Sequence, residues 1–114
     1  LLRQQDRRAD AVKLYRELAA DVRSKEGSAA AYYVLEDTFE KGDMDKTEKA
    51  VFAYSEREPQ AYWLAKAFIL LGDVYVRKGD NFQARATYQS VADGYSPADD
   101  GIVDEAKERI AKLN

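Results

Sequence analysis

A chain of 114 residues, of which 46% are hydrophobic and 34% charged, has the composition of one globular domain. Its net charge of −3 disfavours nucleic acid or an anionic membrane surface as the main partner. Because the sequence lacks cysteine and histidine, it cannot form disulfides or thiolate metal sites, and it lacks the commonest metal ligand and general base.

The first predicted helix covers Leu1 to Ser24, where apolar residues recur at three- and four-residue spacing opposite a charged face. We expect Gly27 to end this helix and Ser28 to cap the next one. Residues 1–25 are interpreted as a partial repeat, namely the second helix of a truncated hairpin. Because the pattern is already under way at the first residue and no initiator Met is present, we expect a fragment or a processed chain.

A helical hairpin is predicted over residues 28–57. Its first helix begins after Ser28 and stops at Gly42, since glycine readily adopts the left-handed conformation that ends a helix. Asp43 is well placed to cap the second helix, in which Val51 is one of the core positions.

A second hairpin is predicted over residues 59–95. Apolar residues run almost all the way round the helix from Pro59 to Val76, so we expect this helix to be covered on several sides. Pro59 suits the first position of a helix, and Gly79 suits the residue after its end. Asp80 then opens the second helix of the pair, which we expect to be half exposed.

The two glycine turns indicate an internal repeat. The run from Glu40 to Asp43 matches the run from Arg77 to Asp80, and their glycines are 37 residues apart (79 − 42). A period of this length is typical of proteins built from stacked helical hairpins.

Several residues of the second hairpin stand at the offsets that one such family uses for its packing positions. They are Leu71, Gly72, Tyr75, Gly79, Ala84 and Tyr88, with Phe68 in the place of a tryptophan and Pro97 one place beyond the terminal proline. This set resembles the tetratricopeptide repeat (TPR), whose period is about 34 residues. The first hairpin departs from the pattern, because it lacks the Leu-Gly pair and has Thr47 where alanine is usual.

A second resemblance lies in the run from Tyr62 to Ala65 followed by the run from Phe82 to Ala84. This sequence pattern is similar to the C-terminal repeat region of large TPR proteins of Bacteroidetes-type bacteria. It implies a bacterial protein, located in the periplasm or cell envelope if a signal peptide precedes the sequence and in the cytoplasm otherwise.

The TPR resemblance implies an all-α fold in which antiparallel helix hairpins stack as a short right-handed solenoid. A last helix over residues 100–114, after the loop around Pro97, is then expected to cap the stack, because its outer face is polar. The alternative is that this helix is the first half of another repeat.

Residues that could carry chemistry have simpler explanations. The closest carboxylate pairs, Asp99 with Asp100 and Asp43 with Asp45, stand at helix starts, where capping already favours acids. The eight Tyr, four Phe and one Trp recur mostly at core spacing. We therefore expect no enzymatic activity, no cofactor and no metal site. The longest apolar run, residues 67–71, is also too short for insertion into a membrane.

The TPR resemblance implies a protein-protein interaction module that binds a peptide, helix or domain in a concave groove. The alternative is a structural spacer within a longer solenoid, with no ligand of its own. Helical spacing puts one line of side chains on the first helix of each hairpin, and the TPR resemblance implies that this line faces the groove. These residues are Tyr33, Asp37 and Glu40 from the first hairpin, and Trp63, Lys66, Asp73 and Arg77 from the second.

Overall fold

The computed structural model describes residues 2–97 and 99–113, and in this part of the chain all regular structure is helical. The prediction of an all-α fold is therefore confirmed. The six helices are α1 (Leu2–Leu18), α2 (Lys25–Glu40), α3 (Met44–Glu56), α4 (Ala61–Arg77), α5 (Asn81–Gly94) and α6 (Ile102–Lys112).

The two predicted glycine turns end α2 and α4 as expected. Gly42 and Gly79 have φ angles of 87° and 80°, a region that glycine enters without steric cost. After each turn an aspartate caps the following helix: Asp43 accepts a hydrogen bond from the backbone of Lys46, and Asp80 accepts one from Gln83, both at 3.0 Å.

The start of α2 differs from the prediction. The first helix ends at Leu18, and Ser24 caps α2 by accepting a 2.9 Å hydrogen bond from the backbone N–H of Gly27. Gly27 thus lies in the first turn of α2, where an added Cβ would stand 1.6 Å from the carbonyl oxygen of Asp21. Glycine is needed there for close backbone approach, and it does not end a helix.

Ser28 is fully buried and makes contacts between distant segments. Its hydroxyl donates to the carbonyl of Val22 at 2.5 Å and accepts from the backbone N–H of Gln60 at 2.9 Å, while its own carbonyl accepts from the Tyr54 hydroxyl at 2.7 Å. The prediction that Pro59 is the first helical residue is also wrong. Helix α4 begins at Ala61, because the backbone of Gln60 is held outside the helix by Ser28.

Each helix packs against its neighbours in the sequence, and α4 is central. It contacts α3 and α5, which flank it in sequence, and also α2 and α6. Its apolar residues are buried on several sides, as the sequence predicted. In the described residues α1 packs only against α2.

The most extensive helix contact is between α4 and α5. A Cβ added at Gly72 would meet the Tyr88 ring at 2.2 Å, so the bare backbone of α4 provides the space for this ring. The Tyr88 hydroxyl donates a short hydrogen bond to Asp73, which fixes the ring in this position. Ala84, which stands at another of the packing offsets, is also fully buried.

A charged group joins the two hairpins. The ammonium group of Lys78, in the turn after α4, contacts Asp45 at 2.7 Å and Glu48 at 3.1 Å, both on α3. Tyr75 donates a 2.8 Å hydrogen bond to Glu48 from the same side. These hydrogen bonds, to Glu48 from Tyr75 and Lys78 and to Asp45 from Lys78, lower the pKa of both carboxyl groups.

Candidate interaction surface

Tyr33 and Trp63 meet across the contact between α2 and α4, with ring centroids 5.6 Å apart. Three further tyrosines surround them, and Trp63 contacts the rings of Tyr32 and Tyr62 at 5.6 and 5.1 Å. Tyr33 contacts Tyr15 of α1 at 5.1 Å and retains 36% of its surface exposed to solvent. The five rings, called here the aromatic cluster, are those of Tyr15, Tyr32, Tyr33, Tyr62 and Trp63.

Lys66 lies at one side of the aromatic cluster. Its ammonium group stands 5.6 Å from the centre of the Tyr32 ring and 5.9 Å from that of Tyr62, within the range of cation–π attraction. Sequence reasoning placed Lys66 on the same line as Trp63 but did not identify Tyr32 as part of this site. In the structure Tyr32 is a buried residue whose ring also contacts Trp63.

Carboxyl groups from three helices affect the pKa of Tyr32. Its hydroxyl makes a 3.4 Å hydrogen bond to Glu36. Burial raises the pKa of Tyr32 far above its usual value, and the negative charges of Glu36, Glu105 and Asp73 raise this pKa further. The tyrosine therefore stays neutral and acts as a donor.

Asp37 and Glu40 lie apart from Trp63, along the side of α2 that faces α1. Asp37 is buried, with 4% of its surface exposed, and forms a 3.0 Å ion pair with Lys41. An open pocket of about 590 Å³ lies between these helices. Its lining residues are Ala9, Val12, Lys13, Arg16, Asp37, Glu40 and Lys41.

Asp73 and Arg77 line a second open pocket of about 490 Å³ near the end of α4. The guanidinium group of Arg77 stacks over the Phe39 ring of α2, 4.6 Å from its centre. Asp73 faces Arg109 of α6 at 3.7 Å. The pocket is lined by Phe39, Asp73, Val76, Arg77, Tyr88, Arg109 and Leu113.

The pKa of Asp73 is subject to opposing influences. Burial raises the pKa of this carboxyl group, and Glu105 adds to the increase, while the hydrogen bond from Tyr88 and the positive charges of Arg109 and Arg77 lower it. The net direction is upward, so burial dominates. Arg109 also faces Glu105 at 3.4 Å, yet its buried Nη1 atom makes no hydrogen bond.

We expect Asp73→Asn to increase the stability of the fold at neutral pH. The raised pKa means that folding favours the protonated carboxyl group, so the parent gains stability relative to its neutral-pH value as pH falls through the folded pKa of Asp73. Asparagine is permanently neutral and can still accept from Tyr88. Denaturant unfolding at several pH values checks this expectation.

The advantage of the Asp73→Asn variant should shrink on acidification, because the parent then carries a neutral side chain too. Asp45 and Glu48, whose pKa values are lowered, also lose their stabilising charge on acidification. This loss of stability is the same in the parent and the variant, so it cancels in the comparison. A variant less stable than the parent at neutral pH would contradict the expectation.

The structure groups the seven predicted residues in three places: the aromatic cluster with Lys66, the α1–α2 pocket, and the pocket at the end of α4. Among the described residues no group of three His, Cys, Asp or Glu side chains could hold a metal ion. None of the described helices is both long enough and apolar enough to cross a membrane. No protein-family model matches this chain, and neither a curated protein nor a solved structure is significantly similar to it.

Proposed function

We propose that this chain is a non-enzymatic protein-protein interaction module. It consists of TPR-like hairpins stacked as a short right-handed solenoid, and it binds a peptide, helix or domain of another protein across α2 and α4. The observation that carries the proposal is the surface where these helices meet, which presents Tyr33 and Trp63 near the start of α4 and Arg77 at its end.

The order of helix contacts supports the stacked arrangement. Helix α2 packs against α4, and α4 packs against α6. Helices α3 and α5, which lie between these helices in the sequence, each pack against their sequence neighbours. Hairpins stacked side by side bring every second helix together in this way, so that one surface is built from alternate helices. The resemblance of residues 59–95 to a TPR predicts the same arrangement.

The character of this surface supports binding. Interfaces draw most of their energy from aromatic and arginine anchors near their centre, and rim charges add little. Tyr33 is an exposed aromatic residue, and Arg77 is an exposed arginine already supported by the Phe39 ring. Asp73 is half-buried, and burial raises the pKa of its carboxyl group, as often occurs at functional sites.

The test compares the parent with a Tyr33→Ala, Arg77→Ala double variant. Both side chains are exposed, so the variant should fold normally, which circular dichroism can verify. A protein captured by the parent from the source organism is purified, and its affinity is measured by calorimetry. We expect the double variant to lose about 2 kcal/mol, or roughly 30-fold in Kd.

Phe82→Ala is the matched control. Phe82 is the most exposed large apolar residue of the described chain, with 83% of its surface accessible, and it lies at the start of α5 away from the aromatic cluster. Binding should be unchanged in this variant. Equal weakening in both variants would mean that the partner recognises apolar surface in general.

The alternative is a structural spacer in a longer solenoid, and one observation favours it. Leu14 and Leu18 of α1 are about half exposed, on a helix that packs only against α2 in the described residues. A further helix over α1 would cover them. If parent and double variant capture the same proteins with equal affinity, the surface of α2 and α4 is not a binding site and the spacer is the better interpretation.

A further inference from the structure

The aromatic cluster offers ring faces that attract a cation. The ring of Trp63 packs edge to face on those of Tyr33 and Tyr62, with interplanar angles of 67° and 84°. Aromatic rings carry negative potential on their faces, so a face exposed to solvent attracts an ammonium or guanidinium group. The ammonium group of Lys66 already lies over two rings of the cluster.

The other side of the aromatic cluster is open to an external cation. No described cationic side chain lies over the rings of Tyr15, Tyr33 or Trp63. Tyr33 is the most exposed of the five rings, so a ligand can reach it from solvent.

One carboxylate beside the aromatic cluster is in no ion pair with another described residue. Asp73 and Glu105 both face Arg109, at 3.7 and 3.4 Å, whereas Glu36 accepts a hydrogen bond from the Tyr32 hydroxyl at 3.4 Å.

Glu36 is the carboxylate best placed to meet such a ligand. It lies three residues from Tyr33 on α2, on the same helix face, and it is exposed. It forms no ion pair within the described part of the chain. A cation seated on Tyr33 and Trp63 would therefore find both a ring face and a carboxylate that is in no ion pair with a described residue.

We propose that the aromatic cluster binds a basic side chain, Lys or Arg, of the partner polypeptide. The cation stacks on Tyr33 and Trp63, and Glu36 neutralises it. This inference rests on the proposed function and names the chemistry of the partner. An anionic ligand would be repelled by Glu36, and a purely apolar one would leave its carboxylate unused.

Trp63 is the only tryptophan of the sequence, so its fluorescence reports directly on this site. The probe is a short arginine-containing peptide, and its control is the same peptide with citrulline in place of arginine, which has nearly the same shape and no charge. We expect a saturable change in Trp63 emission with the arginine peptide and an affinity lower by about fivefold or more with the citrulline peptide.

Two variants locate the bound cation. Glu36→Gln and Tyr33→Ala should each weaken binding of the arginine peptide, whereas Phe82→Ala should leave it unchanged. Equal affinity for the two peptides, or no saturable change with either, would overturn the proposal. If the arginine peptide fails but a purified partner still depends on Tyr33 and Arg77, the interaction module stands and only the basic anchor is wrong.

Discussion

Replacing Gly72 with leucine is expected to destabilise the fold strongly. Even a methyl group at this position would meet the Tyr88 ring at 2.2 Å, and leucine adds three more carbons. The ring cannot turn aside freely, because its hydroxyl is bonded to Asp73 and its surroundings are fully packed. Overpacking of this kind costs about 1 to 3 kcal/mol, occasionally more. Thermal and denaturant unfolding measure the loss.

Gly94→Ala is the control for a general effect of removing glycine. Gly94 is the last residue of α5, and a Cβ there would meet nothing within 4 Å. Alanine should leave stability unchanged or raise it by up to about 1 kcal/mol, since it restricts the unfolded chain. If Gly72→Leu unfolds at the same midpoint as the parent, the packing of α4 on α5 is not as described.

Ala106→Asp should release α6 from the rest of the fold. Ala106 is fully buried where α6 packs on the preceding helices, and next to it Ile102 is buried as well. A carboxylate without a partner at such a contact costs about 3 to 5 kcal/mol, limited by the free energy of detaching the helix. The detached state exposes the part of α5 that α6 covers. Increased binding of a hydrophobic dye should accompany the loss of stability.

The same substitution at Ala111 is the control. Ala111 belongs to α6 and is exposed, so Ala111→Asp carries the lower helix propensity of aspartate without burying a charge. Its cost should stay below about 1 kcal/mol. Similar behaviour of the two variants would show that α6 is not held through Ala106 and does not cover the apolar face of α5.

Much of the fold could be predicted because the signals are local. The spacing of apolar residues identifies the helices, and Gly42 and Gly79 mark two of their ends through a left-handed conformation. Asp43 and Asp80 cap the helices that follow, within three residues of the groups they bind. Gly72 stands at one of the packing offsets named in the sequence analysis, and its close approach to the Tyr88 ring agrees with a packing role there.

The start of α2 could not be predicted, because two serines four residues apart are both suitable caps. Ser24 became the cap, and Ser28 became a buried link between the α1–α2 connection, α3 and α4. The choice depends on Gln60, which is 32 residues away from Ser28. Local pattern contains no information about such a partner, and the same bond displaced the predicted start of α4 from Pro59.

The candidate surface was predicted in part for a similar reason. Helical spacing places Tyr33, Asp37 and Glu40 on one line, but it does not say where α1 lies. In the structure α1 packs beside this line, so that Asp37 and Glu40 line a pocket with α1. Of these three residues, only Tyr33 contacts Trp63. Tyr15 was missed because its proximity to Tyr33 depends on how α1 folds back on α2.

The position of α1 determines how the molecule can open. To leave its place, α4 must break contacts with four helices, so the hairpins α2–α3 and α4–α5 should unfold in one cooperative step. Helix α1, held by α2 alone, can separate at a fraction of that free energy. Such a local opening would withdraw Tyr15 and uncover one side of Tyr33 while the hairpins remain folded. The aromatic cluster could thus change between a five-ring and a four-ring form in the native state, and its affinity for a ligand would follow the fraction of time that α1 stays in place.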